Sequence, residues 1–372
     1  MKHLVMLGAG HAHVHLLSTL ASQPMASVQV TLVAPYARQI YSGMLPGFVA
    51  GHYRLEDCAI PLAPLLTNSV VKHLQRSAVA IDASARLLTL DDGNTLGYDV
   101  LSVNSGPVLD RATIEQIMPG AREHALFVRP IEVFCALWPQ VLELAQSRTL
   151  RVAVIGGGAA GIELAMAVAH RLTGSSVTLL TGDTPAAANY PPGVQSRVVN
   201  ALKDRHIAVI RERVCGIAAG ELLLGSGARL ACDVPLLAIG AQAPAWLSNS
   251  GLALDTQGFI AVNEFQRSTS HAQVFAAGDV ATRMDLSVAH SGVYAVRAGP
   301  PLAQNLRAVL AGIEPIRYKP QEKTLNLLSM GDKSAIASWG NWSAEGRWLW
   351  WLKDRIDRGF VCRYSRSQSQ GR

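Results

Sequence analysis

The chain has 372 residues, of which 49% are hydrophobic and 16% charged. This composition supports a large buried core, and the length suits two ordinary domains and a small third piece. The net charge of +6 lies at one end, because eleven Lys/Arg and five Asp/Glu follow from Pro315 onward, a surplus of six. Basic charge is therefore not spread through the fold, which argues against a nucleic-acid-binding protein.

The five cysteines are scattered without a CxxC or CxxxxC spacing. Neither a zinc site nor a closely spaced redox disulfide is predicted, and no metal site is assigned. The nearest approach to a membrane span, 152–169, contains Glu163 and three consecutive glycines, which suit a strand, loop and helix better. The apolar N-terminus breaks into glycine and histidine too early for a signal peptide, so we expect a cytoplasmic protein.

The first predicted unit starts with an apolar strand at 4–7, which leads into the loop GAGHAH at 8–13. A helix is predicted over 15–21 and a strand over 28–33. The later segment 85–106 alternates around Asp92-Gly93, which predicts a hairpin. Gly8 and Gly10 match a dinucleotide-binding loop, whereas His13 stands where the third glycine is usual.

The same order of elements occurs a second time. Residues 151–171 read as strand, glycine loop and helix, a strand follows at 177–180, and 220–240 predict a hairpin. The second loop is complete: Gly156 makes the turn, Gly158 lets backbone approach a pyrophosphate, and Gly161 lets the helix pack on the strand. Phosphate is expected at the helix N-terminus. The repetition predicts an α/β fold with two Rossmann-like dinucleotide-binding domains.

A third segment, 269–279, carries an apolar strand that ends in Gly278-Asp279. Ligands bind at the carboxyl ends of parallel strands, and a carboxylate there accepts hydrogen bonds from a ribityl hydroxyl. With this segment, the sequence resembles the flavoprotein superfamily that includes glutathione reductase, sulfide:quinone reductase and type II NADH dehydrogenase. The segments 8–17, 41–53, 292–306 and 352–360 resemble one branch, the FAD/NAD(P)-binding oxidoreductases that occur alone or fused ahead of selenide, water dikinase.

The resemblance implies an FAD domain at 1–115 and 245–314, an NAD(P)H domain at 116–244, and a capping domain at 315–372. It implies that FAD is held by Gly8, Gly10, His11, Ala12, Ala34, Pro35, Arg38, Ser42, Gly43, Gly106, Gly278, Asp279, Ser291 and Gly292. It further implies that NAD(P)H, the electron donor, is held by Gly156, Gly158, Ala160, Gly161, Glu163 and Gly240. Glu163 is equally explained as an acid in the first turn of a helix, complementing the helix dipole.

Two departures from the usual pattern concern the adenosine ribose. The strand before Ala34 and the strand before Thr181 both lack a terminal acid, and in the second case Asp183 follows two residues after Thr181. In the first unit, ribose contact would pass to backbone or Arg38. In the second, no arginine cluster follows the strand either, so NADH and NADPH remain equally open.

The missing thiol pair bears on the reaction. Disulfide reductases need two thiols near the flavin, and Cys135 lies in a stretch with helical spacing that predicts a buried core residue. The leading hypothesis is an oxidoreductase that passes electrons from NAD(P)H through FAD to a quinone or another small non-thiol acceptor. No side chain is assigned a catalytic role, because hydride transfer depends mainly on geometry.

The tail at 345–366 combines basic residues with tryptophan, and Trp348, Leu352, Ile356 and Phe360 are spaced as one helical stripe. This composition is typical of a helix that lies on a membrane surface, which would place the protein on the inner face of the cell membrane. Alternatively, the stripe packs on the core or a partner. Two other functions stay open: a sulfide- or selenide-linked quinone reductase, and a low-turnover flavin-bound partner of selenide, water dikinase.

Overall fold

The computed structural model describes residues 1–67, 69, 71–240 and 242–365. The strands up to residue 130 are β1 (Lys2–Leu7), β2 (Val28–Val33), β3 (Arg38–Ile40), β4 (Ala59–Pro61), β5 (Val71–Leu74), β6 (Ala78–Asp82), β7 (Leu87–Leu90), β8 (Thr95–Gly97), β9 (Val100–Val103) and β10 (Leu126–Phe127). The later strands are β11 (Arg151–Ile155), β12 (Ser176–Leu180), β13 (Ala208–Ile210), β14 (Val214–Ala218), β15 (Glu221–Leu224), β16 (Arg229–Ala231), β17 (Val234–Leu237), β18 (Ile260–Val262), β19 (Val274–Ala276), β20 (Ala281–Arg283), β21 (Leu325–Ser329), β22 (Ala335–Trp339) and β23 (Trp342–Gly346).

The α-helices connect and cover these strands. They are α1 (His11–Ser22), α2 (Leu45–Val49), α3 (Ala63–Leu66), α4 (Arg111–Ile117), α5 (Ala121–His124), α6 (Ile131–Ser147), α7 (Ala159–Arg171), α8 (Pro192–Asp204), α9 (Gly292–Arg297), α10 (Gly299–Leu310) and α11 (Arg347–Ser365). None of the helices in the described ranges is long and apolar enough to cross a membrane.

Two parallel sheets form the centre of the molecule. Their strand orders are β19-β9-β1-β2-β5 and β10-β17-β11-β12-β13, and every neighbouring pair in them is parallel. The central strand of each sheet leads through a glycine loop into a helix, α1 or α7. The predicted α/β fold of repeated Rossmann-like units is confirmed. Because β19 joins the first sheet, the chain returns to that sheet late in the sequence; the predicted domain limits stay a prediction.

The predicted strand and hairpins occur in the structure, and the first helix begins earlier than predicted. The strand at 28–33 has the predicted bounds, and the hairpins at β7–β8 and β15–β16 turn at the predicted glycines. The first helix begins at His11, four residues earlier than predicted, so the loop passes directly into it. Helices and strands of both sheets share one apolar core, in which Leu16, Trp138 and Leu164 are almost fully buried. Burying each such side chain stabilises the fold by about 2 kcal/mol.

The C-terminal part consists of the antiparallel sheet β21–β22–β23 and α11. The predicted stripe on this helix is partly wrong, because Phe360 is buried while Trp348, Leu352 and Ile356 are 58%, 36% and 48% exposed. The buried face instead carries Leu349, Asp357, Phe360, Val361 and Tyr364. Arg366, the last residue of the predicted tail helix, and the rest of the predicted capping domain to 372 lie outside the described residues.

Candidate functional site

A cavity of about 520 Å³ runs along the carboxyl ends of the first sheet. Its size is typical of a site for a cofactor. The residues predicted to hold FAD that line it are Gly8, Gly10, His11, Ala34, Pro35, Arg38, Ser42, Gly106, Gly278, Asp279 and Gly292. Ala12, Gly43 and Ser291 are not in this lining, and the Ser291 hydroxyl is buried with no hydrogen-bond partner among the described residues.

Asn104, which the sequence analysis did not single out, organises the loop at the base of the cavity. Its Oδ1 accepts hydrogen bonds from the backbone N–H groups of Ala12 and His13, and its amide nitrogen donates to the Ala277 carbonyl. The first N–H groups of a helix have no partner inside the helix, so Asn104 supplies the N-terminal cap that Gly10 cannot. The sequence signal for Asn104 was its position directly after strand β9, comparable to the position of Asp279 after β19.

His13 fills the place of the missing glycine with two hydrogen bonds. Its Nδ1 lies 2.6 Å from the Gly8 carbonyl oxygen and its Nε2 lies 2.8 Å from Ser102 Oγ. Nδ1 therefore carries the proton and Nε2 accepts from the hydroxyl. In the second loop, a Cβ on Gly161 would overlap the Gly156 carbonyl, the counterpart of the Gly8 carbonyl. The first unit thus replaces a tight packing contact with a buried imidazole.

Charged groups face each other across the cavity. Arg129 is contributed by the segment after β10 of the second sheet, and it interacts with Asp279 and Glu132. Burial raises the pKa of both carboxyls, and the positive charge of Arg129 opposes that rise. Burial, with the same positive charge, lowers the pKa of His11 to about 4, so its ring is neutral near pH 7. Its Nδ1 is buried without a partner among the described residues.

Helix α11 contacts the loop that contains Ser42, one of the residues that line the cavity. Lys353 Nζ donates to the Gly43 carbonyl oxygen and to Asp357 Oδ2, both at 2.7 Å. Phe360 packs against Tyr41, with ring centroids 4.7 Å apart, and against His11 at 5.6 Å. Burial alone would lower the pKa of Lys353, but the carboxylates of Asp357 and Glu163 raise it. A buried ion pair therefore faces the loop that contains Ser42.

Glu163 connects the second glycine loop with this cluster. It lies in α7, and its Oε1 accepts a hydrogen bond of 2.7 Å from the backbone N–H of Ser329. Burial raises the pKa of Glu163 to about 7, and Lys353 opposes the rise. The side chain therefore exchanges its proton in the neutral pH range, next to a cation.

The second glycine loop differs from the first at the N-terminus of the helix that follows it, α7. Gly158 has empty space where a Cβ would lie, and α7 has no side-chain cap. Within the described ranges, no protein acceptor meets the N–H groups of Ala159, Ala160 and Gly161. Free N–H groups at a helix N-terminus attract anions such as phosphate. Gly240 lies exposed after the neighbouring strand β17.

Thiols are absent from the lining of the cavity among the described residues. Cys135 is buried in α6, where the apolar surroundings raise its pKa to about 12. Cys362 is exposed on α11.

The residues fit FAD. The cavity has the size and the glycine-lined entry for a dinucleotide, and its unpartnered polar atoms, His11 Nδ1 and the nearby Ser291 Oγ, await a ligand. Asp279 follows β19 at the carboxyl edge of the first sheet, where ligands bind in such sheets, and its carboxylate is an acceptor for hydroxyl groups. Bound FAD supplies a group that accepts a hydride and passes on electrons.

Two sheets of one plan, each with a glycine loop at its carboxyl edge, define a protein with two dinucleotide sites. A family model described as pyridine nucleotide-disulphide oxidoreductase matches residues 2–305. The chain belongs to this family of oxidoreductases, whose cofactors are FAD and NAD(P)H.

Two relatives of this chain have more specific names than the family description. An NADH dehydrogenase-like protein of Mycobacterium tuberculosis is 29% identical over 266 residues, which cover 67% of this chain and 65% of that protein. A demethylphylloquinone reductase of Synechocystis is 25% identical, covering 83% of this chain and 79% of that protein. The matched part thus spans just under two thirds of the mycobacterial relative.

Solved structures share the fold at low identity. The sulfide:quinone oxidoreductase of Aquifex aeolicus superposes with a TM-score of 0.80 at 18% identity, covering 98% of this chain and 92% of that one. NDH2 of Plasmodium falciparum, in complex with NADH, gives 0.77 at 13% identity, covering 98% and 99%.

Proposed function

We propose that this protein is an FAD-dependent NAD(P)H dehydrogenase that reduces a quinone or another small non-thiol acceptor. The observation that carries the proposal is the cavity at the carboxyl ends of the first sheet, which is lined by the nucleotide loop at Gly8 and Gly10 and by Ser42. Lys353 of α11 bonds the backbone of Gly43, next to Ser42. The demethylphylloquinone reductase and sulfide:quinone oxidoreductase among the similar proteins support a quinone.

In this proposal the chain's own residues position and shield the reactants. Asn104 fixes the first loop, Arg129 and Asp279 hold polar parts of the cofactor, and the free N–H groups of α7 bind the pyrophosphate of the nicotinamide dinucleotide. Lys353 holds the backbone at Gly43, and Phe360 keeps water from Tyr41 and His11.

The experiment is anaerobic stopped-flow with the FAD-loaded protein. We expect NADH or NADPH to bleach the flavin absorbance, and a quinone to restore it over many turnovers. A flavin that neither nicotinamide bleaches would refute the proposal. Bleaching with no turnover on any quinone would favour the low-turnover partner of selenide, water dikinase instead.

A sulfide- or selenide-linked reductase requires a thiol beside the flavin. Since no cysteine lines the cavity among the described residues, we expect turnover to survive replacement of Cys135 and Cys362 by alanine. Loss of turnover in the double variant, with normal FAD content, would contradict the non-thiol acceptor.

We further propose that α11 contacts the inner face of the cell membrane, where quinones dissolve. Its outward face exposes Trp348 (58%), Trp351 (68%), Leu352 (36%) and Ile356 (48%), and Arg355 and Arg358 are exposed beside them. The nearby acids do not oppose this, because Asp357 is buried and Asp354 binds Arg358 and Tyr53. Tryptophan and arginine on one helix suit the lipid headgroup region.

Sedimentation with anionic lipid vesicles tests this contact. We expect the double variant Trp348→Ser/Trp351→Ser to lose most vesicle binding and to keep turnover on a water-soluble quinone. The matched control is Trp339→Ser, which changes an exposed tryptophan on β22. Equal vesicle binding by wild type and the double variant would refute the contact.

The selenide, water dikinase association belongs to the same proposal, at the level of motif resemblance. Two of the four segments that carry it are 41–53 and 292–306, and in the structure Ser42 and Gly292 from these segments line the same cavity. Co-elution of the two purified proteins on size exclusion would support the association, and separate elution at micromolar concentration would refute it.

A further inference from the structure

Two arginines lie beside the carboxyl end of β12, although none follows that strand closely in the sequence. Strand β13 pairs in parallel with β12, and the backbone N–H of Thr181 donates to the Ile210 carbonyl. This pairing places the residues after β13 next to those after β12. Arg211 Nε donates to the Asp183 carbonyl oxygen at 2.7 Å, and the Arg213 guanidinium pairs with the Asp183 carboxylate.

The position of this pair within the nucleotide-binding unit gives it a role. In such a unit, the pyrophosphate lies at the start of the helix after the first strand, and the end of the second strand contacts the adenosine ribose. Here these places are the start of α7 and residues 181–183. Thr181 Oγ1 is buried there without a partner among the described residues, and Gly182 has open space on the Cβ side.

Both carboxylates near this point already have partners. Asp183 is already paired with Arg213, and Glu212 accepts a hydrogen bond from the Ser226 backbone in the neighbouring hairpin. The terminal nitrogens of Arg211 make no hydrogen bond within the described part of the chain. Both arginine side chains are exposed, so they can turn toward a ligand. A guanidinium presents a planar pair of donors that matches a phosphate.

We propose that Arg211 and Arg213 form a subsite for the 2′-phosphate of a 2′-phosphorylated adenine dinucleotide, so that the donor is NADPH. The proposal rests on the proposed function only in taking the second unit as the nicotinamide site. Arg211 supplies the donors that are free, and Arg213 lies beside it, with its guanidinium paired with the Asp183 carboxylate.

Binding of adenosine fragments tests the subsite without any redox step. Calorimetry with the FAD-loaded full chain compares 2′,5′-ADP with 5′-AMP, which differ by the 2′-phosphate. We expect wild type to bind 2′,5′-ADP at least about tenfold more tightly, the range of a charged hydrogen bond. Arg211→Gln removes most of that preference and leaves 5′-AMP binding unchanged. Asp183→Asn, which releases Arg213, increases the preference.

Arg229→Gln is the matched control, since it removes one exposed arginine from hairpin β15–β16 of the same unit. It should leave both affinities at the wild-type values. Equal binding of both fragments by wild type, or equal loss of both in Arg211→Gln, would overturn the subsite. Flavin that neither nicotinamide bleaches, combined with preferred 2′,5′-ADP binding, would refute the proposed function while supporting the subsite.

Discussion

The raised pKa of the buried Glu163 makes the stability of the folded chain depend on pH. Burial raises its pKa to about 7 from an ordinary value of 4.5. Between these pH values the folded chain retains a proton that the unfolded chain releases, so the contribution of Glu163 to stability falls as the pH rises from 4.5 to 7. We therefore expect the Tm of Glu163→Gln, relative to wild type, to rise between pH 5 and pH 8. The corresponding change in stability is about 1–3 kcal/mol.

Thermal unfolding of both proteins at the two pH values measures this change. Glu143→Gln, an exposed change in α6 with the same chemistry, is the control and should shift Tm equally at both pH values. Parallel curves for wild type and Glu163→Gln would show that Glu163 titrates as an ordinary exposed acid.

His13 contributes to stability through packing and hydrogen bonds. His13→Gly leaves the Gly8 carbonyl and the Ser102 hydroxyl without their partner and opens space in a fully buried position. We expect a loss of about 3 kcal/mol in stability. FAD affinity should change little, because Asn104 holds the loop independently and His13 does not line the cavity.

Denaturant unfolding and FAD titration measure the two effects separately. Ser18→Gly, a half-buried glycine substitution in the same helix, controls for the glycine penalty of about 1 kcal/mol. A large loss of FAD affinity in His13→Gly at unchanged stability would assign the imidazole to the cofactor.

At the scale of elements, α11 is held to the fold by charge as well as by apolar packing. Lys353 and Asp357 are 12% and 7% exposed, and they are joined one helical turn apart. Removing one partner of a buried ion pair costs about 3 kcal/mol, whereas replacing both by apolar residues costs far less. Lys353→Met should therefore lower stability strongly, and Lys353→Met/Asp357→Leu should recover at least half of the loss.

A double-mutant cycle by denaturant unfolding checks this expectation. Lys333→Met is the control, because its exposed ammonium lies 5.7 Å from the Trp350 ring centre and should cost under about 1 kcal/mol. A double variant less stable than Lys353→Met would mean that Asp357 stabilises the helix by another route.

The same helix shows where sequence reasoning succeeds and fails. Strands, hairpins and glycine loops could be predicted because their signals are local: alternation, turn residues and glycine spacing. The inner face of α11 could not be predicted, because the stripe from Trp348 to Phe360 was interpreted as one apolar face. Lys353 enters the interior because Asp357, one helical turn away, neutralises its charge and the Gly43 carbonyl, distant in sequence, accepts its hydrogen bond.

The grouping of the expected site residues around one cavity was predictable to the same degree. Most of the expected FAD residues line one cavity because strand ends of a parallel sheet meet at one edge. Asn104 and Arg211 were missed, since their roles depend on which strand lies beside which. Sheet order places Asn104 under the N-terminus of α1 and Arg211 next to Asp183.

At the scale of the whole molecule, the cavity joins the two sheets, since Arg129 reaches it from the segment after β10 while Gly8 and Asp279 belong to the first sheet. A ligand that binds only the folded chain stabilises it by about 3 kcal/mol at a hundredfold excess over Kd. We expect FAD to raise the Tm of the apoprotein in a single transition. Arg129→Gln, which removes a cation facing the cavity and leaves Asp279 unopposed, should need at least about tenfold more FAD for the same rise.

The measurement is the Tm of the apoprotein as a function of FAD concentration, followed by tryptophan fluorescence and by circular dichroism. Arg122→Gln, an exposed arginine in α5, is the matched control and should follow the wild-type curve. Two separate transitions, of which FAD shifts only one, would mean that the cofactor stabilises one sheet alone. Coincident shifts by both probes would mean that FAD couples the two sheets, because residues from both are then needed to hold it.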